Sequence, residues 1–235
     1  MGIYVDALRE GWILLSSGTL DVWAIIVTSL RVSGAATMIA LLIGIPVGLF
    51  VGLKRFVGRG VALLVFNSGM GMPPVFVGLI VAMALSRRGP FGDLSLLYSQ
   101  TAMVIAQVII ATPIVMAITA AAVSAVPREL RLQARSLGAQ GWRVALLTLR
   151  EARMGLIAAV AGGFGSVISE VGAVQMVGGN LQGETRVMTT AIVQYTRMGR
   201  YGYALSLALV LMAMVVFVNV ALTRMQTSAQ QWERQ

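Results

Sequence analysis

The chain contains no cysteine and no histidine. The first absence excludes disulfides, thiolate nucleophiles and thiolate metal sites; the second excludes imidazole proton relays and the usual zinc sites. Charge is scarce too. Only 11% of the residues are Asp, Glu, Lys or Arg, against about 25% in an ordinary soluble domain. What fills the space is apolar: 57% of the 235 residues are hydrophobic. Such a composition belongs to an integral membrane protein with its lipid bilayer as solvent. The net charge of +9 then reflects the cytoplasmic bias of Lys and Arg in membrane loops, and no nucleic-acid partner is expected.

The opening MGIYVDALREGW lacks a basic n-region and carries Asp6 and Glu10, so it does not read as a signal peptide. Ile3, Ala7, Leu8, Trp12 and Leu15 fall near one helical face, which predicts a short interfacial helix over residues 1–20. Residues 21–226 are expected to form the membrane domain, and 227–235 a cytoplasmic tail.

A spanning helix needs about 20 mostly apolar residues. Five segments meet that need: Val32–Leu53, Val61–Ser86, a stretch within Ser99–Val126, one from near Met154 past Glu170, and Tyr201–Thr223. The fold class expected is an all-α bundle of five transmembrane helices. Lys54, Arg55 and Arg59 lie between spans one and two. Arg128, Arg131, Arg135, Arg143, Arg150 and Arg153 lie between spans three and four, and Arg224 and Arg234 follow span five. Five spans put these groups on one side, taken as cytoplasmic. The N-terminus is then outside, the C-terminus inside, and the location a multi-pass cell (inner) membrane. Gly44, Gly48 and Gly52 form a GxxxGxxxG line in span one, a close-packing face for a second helix.

The basic loop has an internal pattern. Pro127 opens a helix, Glu129 suits its first turn, and Leu130, Ala134 and Leu137 recur at i, i+4, i+7. Gly138 stops it, and a second amphipathic piece starts at Trp142. The loop is expected to fold as two short helices with arginines outward. A solvated loop resting on lipid phosphates is the plainer alternative.

Polar and helix-breaking residues inside the spans mark the candidate pathway. Pro73 and Pro74 lie about 18 Å from the inner end of span two, and Pro113 sits at a similar depth in span three, near Thr112. Prolines free backbone carbonyls, which at mid-depth need protein or a cavity around them. Glu170 is the one carboxylate within a span, and an intramembrane charge needs a partner. Arg31, just outside span one, or a backbone amide is the expected partner. With Asn180, these residues are candidates for an outer gate or for structural pairing. Further on, Val187, Met188, Ala191, Ile192 and Tyr195 form a stripe that predicts an outer interfacial or re-entrant helix available to an external partner.

The loop resembles the EAA coupling loop of ATP-binding-cassette (ABC) importer permeases. The triplet positions fall on Leu132, Gln133 and Ala134, followed by Arg135, Ser136, Leu137 and Gly138. Leu132 and Gln133 depart from the family triplet, and Arg150 stands where the family has a downstream proline. "SEVGAVQMVGGNLQGETRVMTTAI" looks like the matching run of tungstate importer permeases, and "MPPVFVGLIVAMALSRRGPFG" resembles related molybdate, tungstate and sulfate permeases. The resemblance implies the type I ABC importer permease fold and a homodimer. It also implies cytoplasmic ATPase subunits and an extracytoplasmic oxyanion-binding protein, with tungstate the first choice of cargo. Leu132, Gln133, Ala134, Arg135, Gly138, Trp142 and Arg143 would face the ATPase. No GxxxxGK[ST] loop exists, so ATP and Mg²⁺ would bind that partner, and this chain would be no enzyme and bind no cofactor or metal. A molybdate, sulfate or amino-acid permease is the nearby alternative. A stand-alone secondary transporter would need mid-depth coupling charges and, typically, an internal repeat.

Overall fold

A computed structural model describes residues 20–231 together with Arg9. The expected N-terminal interfacial helix therefore lies outside the described residues, apart from those two positions. Among the described residues the regular structure is helical: α1 (Leu20–Leu53), α2 (Arg59–Met70), α3 (Pro74–Leu85), α4 (Gln100–Ala125), α5 (Arg128–Ser136), α6 (Gly141–Glu151), α7 (Arg153–Ile168), α8 (Gly172–Gly178), α9 (Met188–Arg197) and α10 (Tyr201–Gln231). A short 3₁₀ turn covers Gly92–Leu94. Three helices are long and apolar enough to cross a membrane singly, and the described residues give five spans if the broken pairs α2–α3 and α7–α8 each count as one.

Span four is interrupted between Ile168 and Gly172, and three further boundaries differ from the expectation. Span one begins twelve residues early, because the helix continues outward through Arg31 to Leu20. Arg31 is thus inside a helix and exposed on its face. Span two is interrupted: α2 ends at Met70 and α3 starts at Pro74. Two consecutive prolines remove two N–H donors, and each disfavours helical backbone in the residue before it. Pro74 instead suits the first position of a new helix. The last helix runs to Gln231, so the expected tail from residue 227 starts within it.

The chain divides into two compact units. One comprises Thr37–Met72, Val108–Ser166 and Ala221–Gln235. Here the glycine line of α1 meets α4. A Cβ at Gly44 would lie 2.6 Å from Val115 Cγ1, one at Gly48 2.7 Å from Thr119 Cβ, and one at Gly52 2.7 Å from Val123 Cγ1. The register advances by four on both helices, so α1 and α4 run parallel. Gly162 and Gly163 of α7 meet Ile118 and Val115 of α4 in reversed order, so α7 runs antiparallel to it. Spans one and three run one way and span four the other, as alternating spans require. Phe66 packs with Val51 and Ala117, tying α2 to the same group.

The other unit comprises Met1–Ala36, Pro73–Gln107 and Val167–Val220. In it α3 lies against α8, where a Cβ at Gly78 would sit 2.6 Å from Ala173 Cα. Val22, Ile25 and Ile26 of α1 form a core with Met188 and Ala191 of α9 and Leu207 of α10.

Candidate functional site

The basic loop folds as an elbow of two helices. Pro127 has extended backbone (φ −52°, ψ 137°) and caps α5, with Glu129 in the first turn, where the helix dipole favours a carboxylate. At the far end Gly138 N–H donates to Arg135 C=O and Ala139 N–H to Ala134 C=O, each at 3.0 Å. This is the paired closure that needs a left-handed residue just past the helix. Gly138 supplies it with φ +82°. Gln140 then caps α6, which begins at Gly141, one residue before the expected start. Leu130 anchors the elbow on Val123, Val126 and Ala152, and α6 buries Val144 and Thr148.

The outward side carries the residues that sequence reasoning selected. Leu132, Gln133, Arg135, Gly138, Trp142 and Arg143 are exposed, and Ala134 is half-buried. Trp142 is 61% exposed; its Nε1–H donates to Gln140 Oε1 at 2.9 Å, and the Arg143 guanidinium lies 5.3 Å from its ring centre. One expectation fails: Leu137 does not continue the stripe of Leu130 and Ala134 onto the protein but stands 87% exposed. The helix has ended by then, and the left-handed turn redirects the chain.

Of the pathway candidates, Pro73 and Pro74 fall at a break, and Thr112 and Pro113 lie within an unbroken helix. Pro73 caps α3, and Pro74 is its first residue. Pro113 lies inside α4, and its ring packs on α2, where a Cβ at Gly69 would be 2.6 Å away. The Thr112 hydroxyl turns back to Val108 C=O at 2.6 Å, closing a polar group onto its own helix next to the carbonyl that Pro113 leaves free.

Glu170 sits in the three-residue break between α7 and α8. Its Oε1 accepts the Ala173 N–H at 3.0 Å. The Thr189 hydroxyl donates to its backbone C=O at 2.8 Å. Among the described residues Arg31 makes no ion pair with it. Of the two partners expected, the backbone amide is the one found, because the N-terminus of a helix offers unpaired N–H groups close by. Gln107 Nε2 donates to Val167 C=O at 2.9 Å, a carbonyl at the end of α7 that also accepts the Glu170 N–H at 3.3 Å.

Asn180 lies just beyond α8 in left-handed backbone, φ +54°, a conformation Asn tolerates well. Its Nδ2 donates to Gln194 Oε1 at 2.7 Å and its Oδ1 accepts from the Thr190 hydroxyl at 2.9 Å. Nearby, the buried Thr185 hydroxyl donates to Gly178 C=O and accepts from Leu181 N–H. Ser29 of α1 accepts the Met188 N–H at 2.8 Å and so starts α9. Sequence reasoning missed Ser29, Thr185, Thr190 and Gln194, since single hydroxyls and amides carry no spacing signal. The stripe on α9 is also reassigned: Met188 and Ala191 are buried in this chain's own core and Ile192 and Tyr195 are packed against it, so that face is not open to an external partner.

The Thr185 network gives a direct expectation. Thr185→Val leaves the buried Gly178 carbonyl without its partner, at a cost of about 1–3 kcal/mol, and frees the part-buried Leu181 N–H as well. The detergent-solubilised variant should melt several degrees lower than the parent by tryptophan fluorescence, whereas Thr196→Val, at an exposed position, should not.

These features describe a helical membrane transport subunit: apolar spans broken at mid-sequence, an exposed amphipathic elbow between them, and no nucleotide loop. The chain belongs to the family of binding-protein-dependent transport system inner membrane components, whose model matches residues 44–231. It is 39% identical over 226 residues to the tungstate uptake system permease protein TupB of Peptoclostridium acidaminophilum, covering 96% of this chain and 99% of that protein. It is 40% identical over 201 residues to a probable anion ABC transporter permease protein of Haloferax volcanii, covering 83% of this chain and 87% of that one. Among solved structures, the inward-facing MetNI methionine ABC transporter matches with a TM-score of 0.72 at 18% identity over 93% of this chain and 96% of that chain. That likeness carries the fold alone.

Proposed function

We propose that this chain is the transmembrane permease subunit of an ATP-driven ABC importer for an oxyanion, with tungstate as the cargo. The observation that carries this reading is the 39% identity to a tungstate uptake permease across 96% of the chain. The composition agrees: an importer subunit without a phosphate loop of its own takes its energy from a separate ATPase.

In this reading two copies form the pathway across the inner membrane. Pro73, Pro74, Thr112 and Pro113 border it: the break at Pro73 and Pro74, and the N–H that Pro113 lacks within its helix, leave backbone groups free for a hydrated anion to pass. The N-terminus is outside and the C-terminus cytoplasmic. The elbow α5–α6 docks into a cytoplasmic ATPase subunit through Leu132, Gln133, Arg135, Trp142 and Arg143, with Ala134 and Gly138 fixing its shape. Arginine forks suit carboxylates on a partner, and an exposed Trp is the residue type that anchors interfaces. An extracytoplasmic oxyanion-binding protein delivers cargo to the opposite side. Glu170 and Asn180 act there as structural clamps that hold the α7–α8 break and α9 in register, and Arg31 takes no part in pairing Glu170.

The test is uptake of radiolabelled tungstate by vesicles holding the permease, its ATPase and its binding protein. Uptake should require ATP, and excess unlabelled tungstate should abolish it while sulfate competes weakly. Molybdate or sulfate as the better competitor would move the cargo to that anion; a 28% identity to the ModB molybdenum permease of Escherichia coli, over 72% of this chain, makes molybdate the next to try. Uptake at full rate without ATP would overturn the reading.

A further inference from the structure

We infer that the cavity at the foot of α1, inside the elbow, is a binding site for the headgroup of an anionic phospholipid. The cavity measures about 890 Å³, within the range of about 300–1,000 Å³ typical of pockets for small organic molecules. Five cations line it: Lys54, Arg55, Arg128, Arg131 and Arg135, and no carboxylate does. Arg128, Arg131 and Arg135 stand at i, i+3 and i+7 on α5 and so share one face. Among the described residues none of these three, nor Arg55, has an ion-pair or side-chain hydrogen-bond partner. Their neighbour Arg59 is different. Its Nε donates to Val51 C=O at 2.9 Å and its Nη2 to Ser124 Oγ at 3.0 Å, so its charge is already engaged in closing the end of α1. Arg55, Arg128 and Arg131, which the proposed docking face does not use, are unspent, and like charges gathered around one space repel unless an anion enters.

The other wall decides which anion. Leu49, Phe50 and Leu53 of α1 line the same cavity, and Lys54 Nζ lies 4.9 Å over the Phe50 ring. A free oxyanion has no use for an apolar wall. A phospholipid has both parts: a phosphate for the arginines and glycerol with acyl carbon for the leucines. The last turns of a spanning helix are also where inner-leaflet headgroups lie, and basic pockets on that face of membrane proteins take acidic lipids. The inference rests on the topology proposed above, which makes this end cytoplasmic.

The complete transporter, with its ATPase, is delipidated, held in phosphatidylcholine and titrated with phosphatidylglycerol under native mass spectrometry. One phosphatidylglycerol should be retained per permease chain. The combined variant Arg55→Gln, Arg128→Gln, Arg131→Gln should bind it about 100-fold more weakly, and the triple Lys version should stay within a few fold of the parent. If the Gln variant fails to assemble, Leu53→Cys provides the only thiol in a cysteine-free chain. A fluorophore there should be quenched more by brominated phosphatidylglycerol than by brominated phosphatidylcholine at equal mole fraction. Equal quenching, or full lipid retention by the Gln variant, would overturn the site. Displacement of the lipid by millimolar inorganic phosphate or tungstate would assign the cavity to a free oxyanion instead. Failure of the topology is read separately, as labelling of Arg55→Cys by an impermeant maleimide added outside intact cells.

Discussion

Gly48→Leu is expected to abolish accumulation of the folded protein. A Cβ at this position meets Thr119 Cβ at 2.7 Å and the Met116 carbonyl oxygen at 2.8 Å, whereas unstrained carbon contacts sit at about 3.5–4.0 Å. The carbonyl belongs to the backbone of α4 and cannot turn aside, so α1 and α4 would have to part by about 1 Å. Gly44 and Gly52 share that face, with Val115 and Val123 at 2.6 and 2.7 Å from their would-be Cβ atoms, so separation at the middle glycine strains the whole line. In lipid no hydrophobic force holds two apolar helices together; close packing does most of it. Overpacking costs of about 1–3 kcal/mol or more then weigh on a fold whose whole margin is about 5–15 kcal/mol. Gly34→Leu is the control. It lies on the same helix, but nothing stands within 4 Å of its would-be Cβ. Size-exclusion chromatography of fluorescent fusions should show a monodisperse peak for Gly34→Leu and aggregate or no peak for Gly48→Leu. Equal peaks would mean that the glycine line does not hold the two helices together.

Gly138→Val should produce the opposite pattern: normal insertion and little transport. The space around Gly138 is open, so the defect is confined to backbone conformation. At φ +82° an L-residue costs roughly 1–2 kcal/mol, and a β-branched side chain is a true outlier there. The turn that closes α5 would relax, and the exposed residues on both sides of it would shift together. An elbow that must fit a partner's surface tolerates little of this, since a misplacement of about 1 Å can cost on the order of 100-fold in function. ATP-dependent uptake should fall by about tenfold or more, with membrane protein levels within about twofold of the parent. Gly183→Val offers a comparison, because it also lies at positive φ in open space but far along the chain from the elbow. Unimpaired uptake by Gly138→Val would count against a coupling role.

Much of the fold was legible because lipid makes strict demands. Runs of about 20 apolar residues have few alternatives, and the spans fall where expected, although span one starts early at Leu20, the last helix runs on to Gln231, and spans two and four are each broken inside. The elbow was legible too, through Pro127, Glu129 and Gly138, whose roles depend on local backbone alone. Three things were not. The double proline read as part of one continuous span and is a complete break, since an apolar run cannot tell one helix from two. The stripe on α9 read as a surface for others and is core, because amphipathicity says that a face is covered without saying by what. The Ser29–Met188 bond joins residues 159 positions apart, and no local pattern announces it. Glu170 shows the same limit in miniature: its need for a partner was plain, but the choice of Ala173 N–H over Arg31 followed from a helix start that the sequence had placed inside a span.

The most direct test of the central claim, that a separate ATPase works this chain through its elbow, is cross-linking. The chain has no cysteine, so Leu137→Cys and Trp142→Cys each provide a unique thiol at an exposed position of the elbow. With a short bifunctional maleimide, both should cross-link to the ATPase subunit in intact membranes, with yields that change when ATP is bound. Tyr98→Cys, in the loop between α3 and α4, should give no such product. A transporter that moves its cargo while neither elbow position can be joined to the ATPase, with or without nucleotide, would contradict the account.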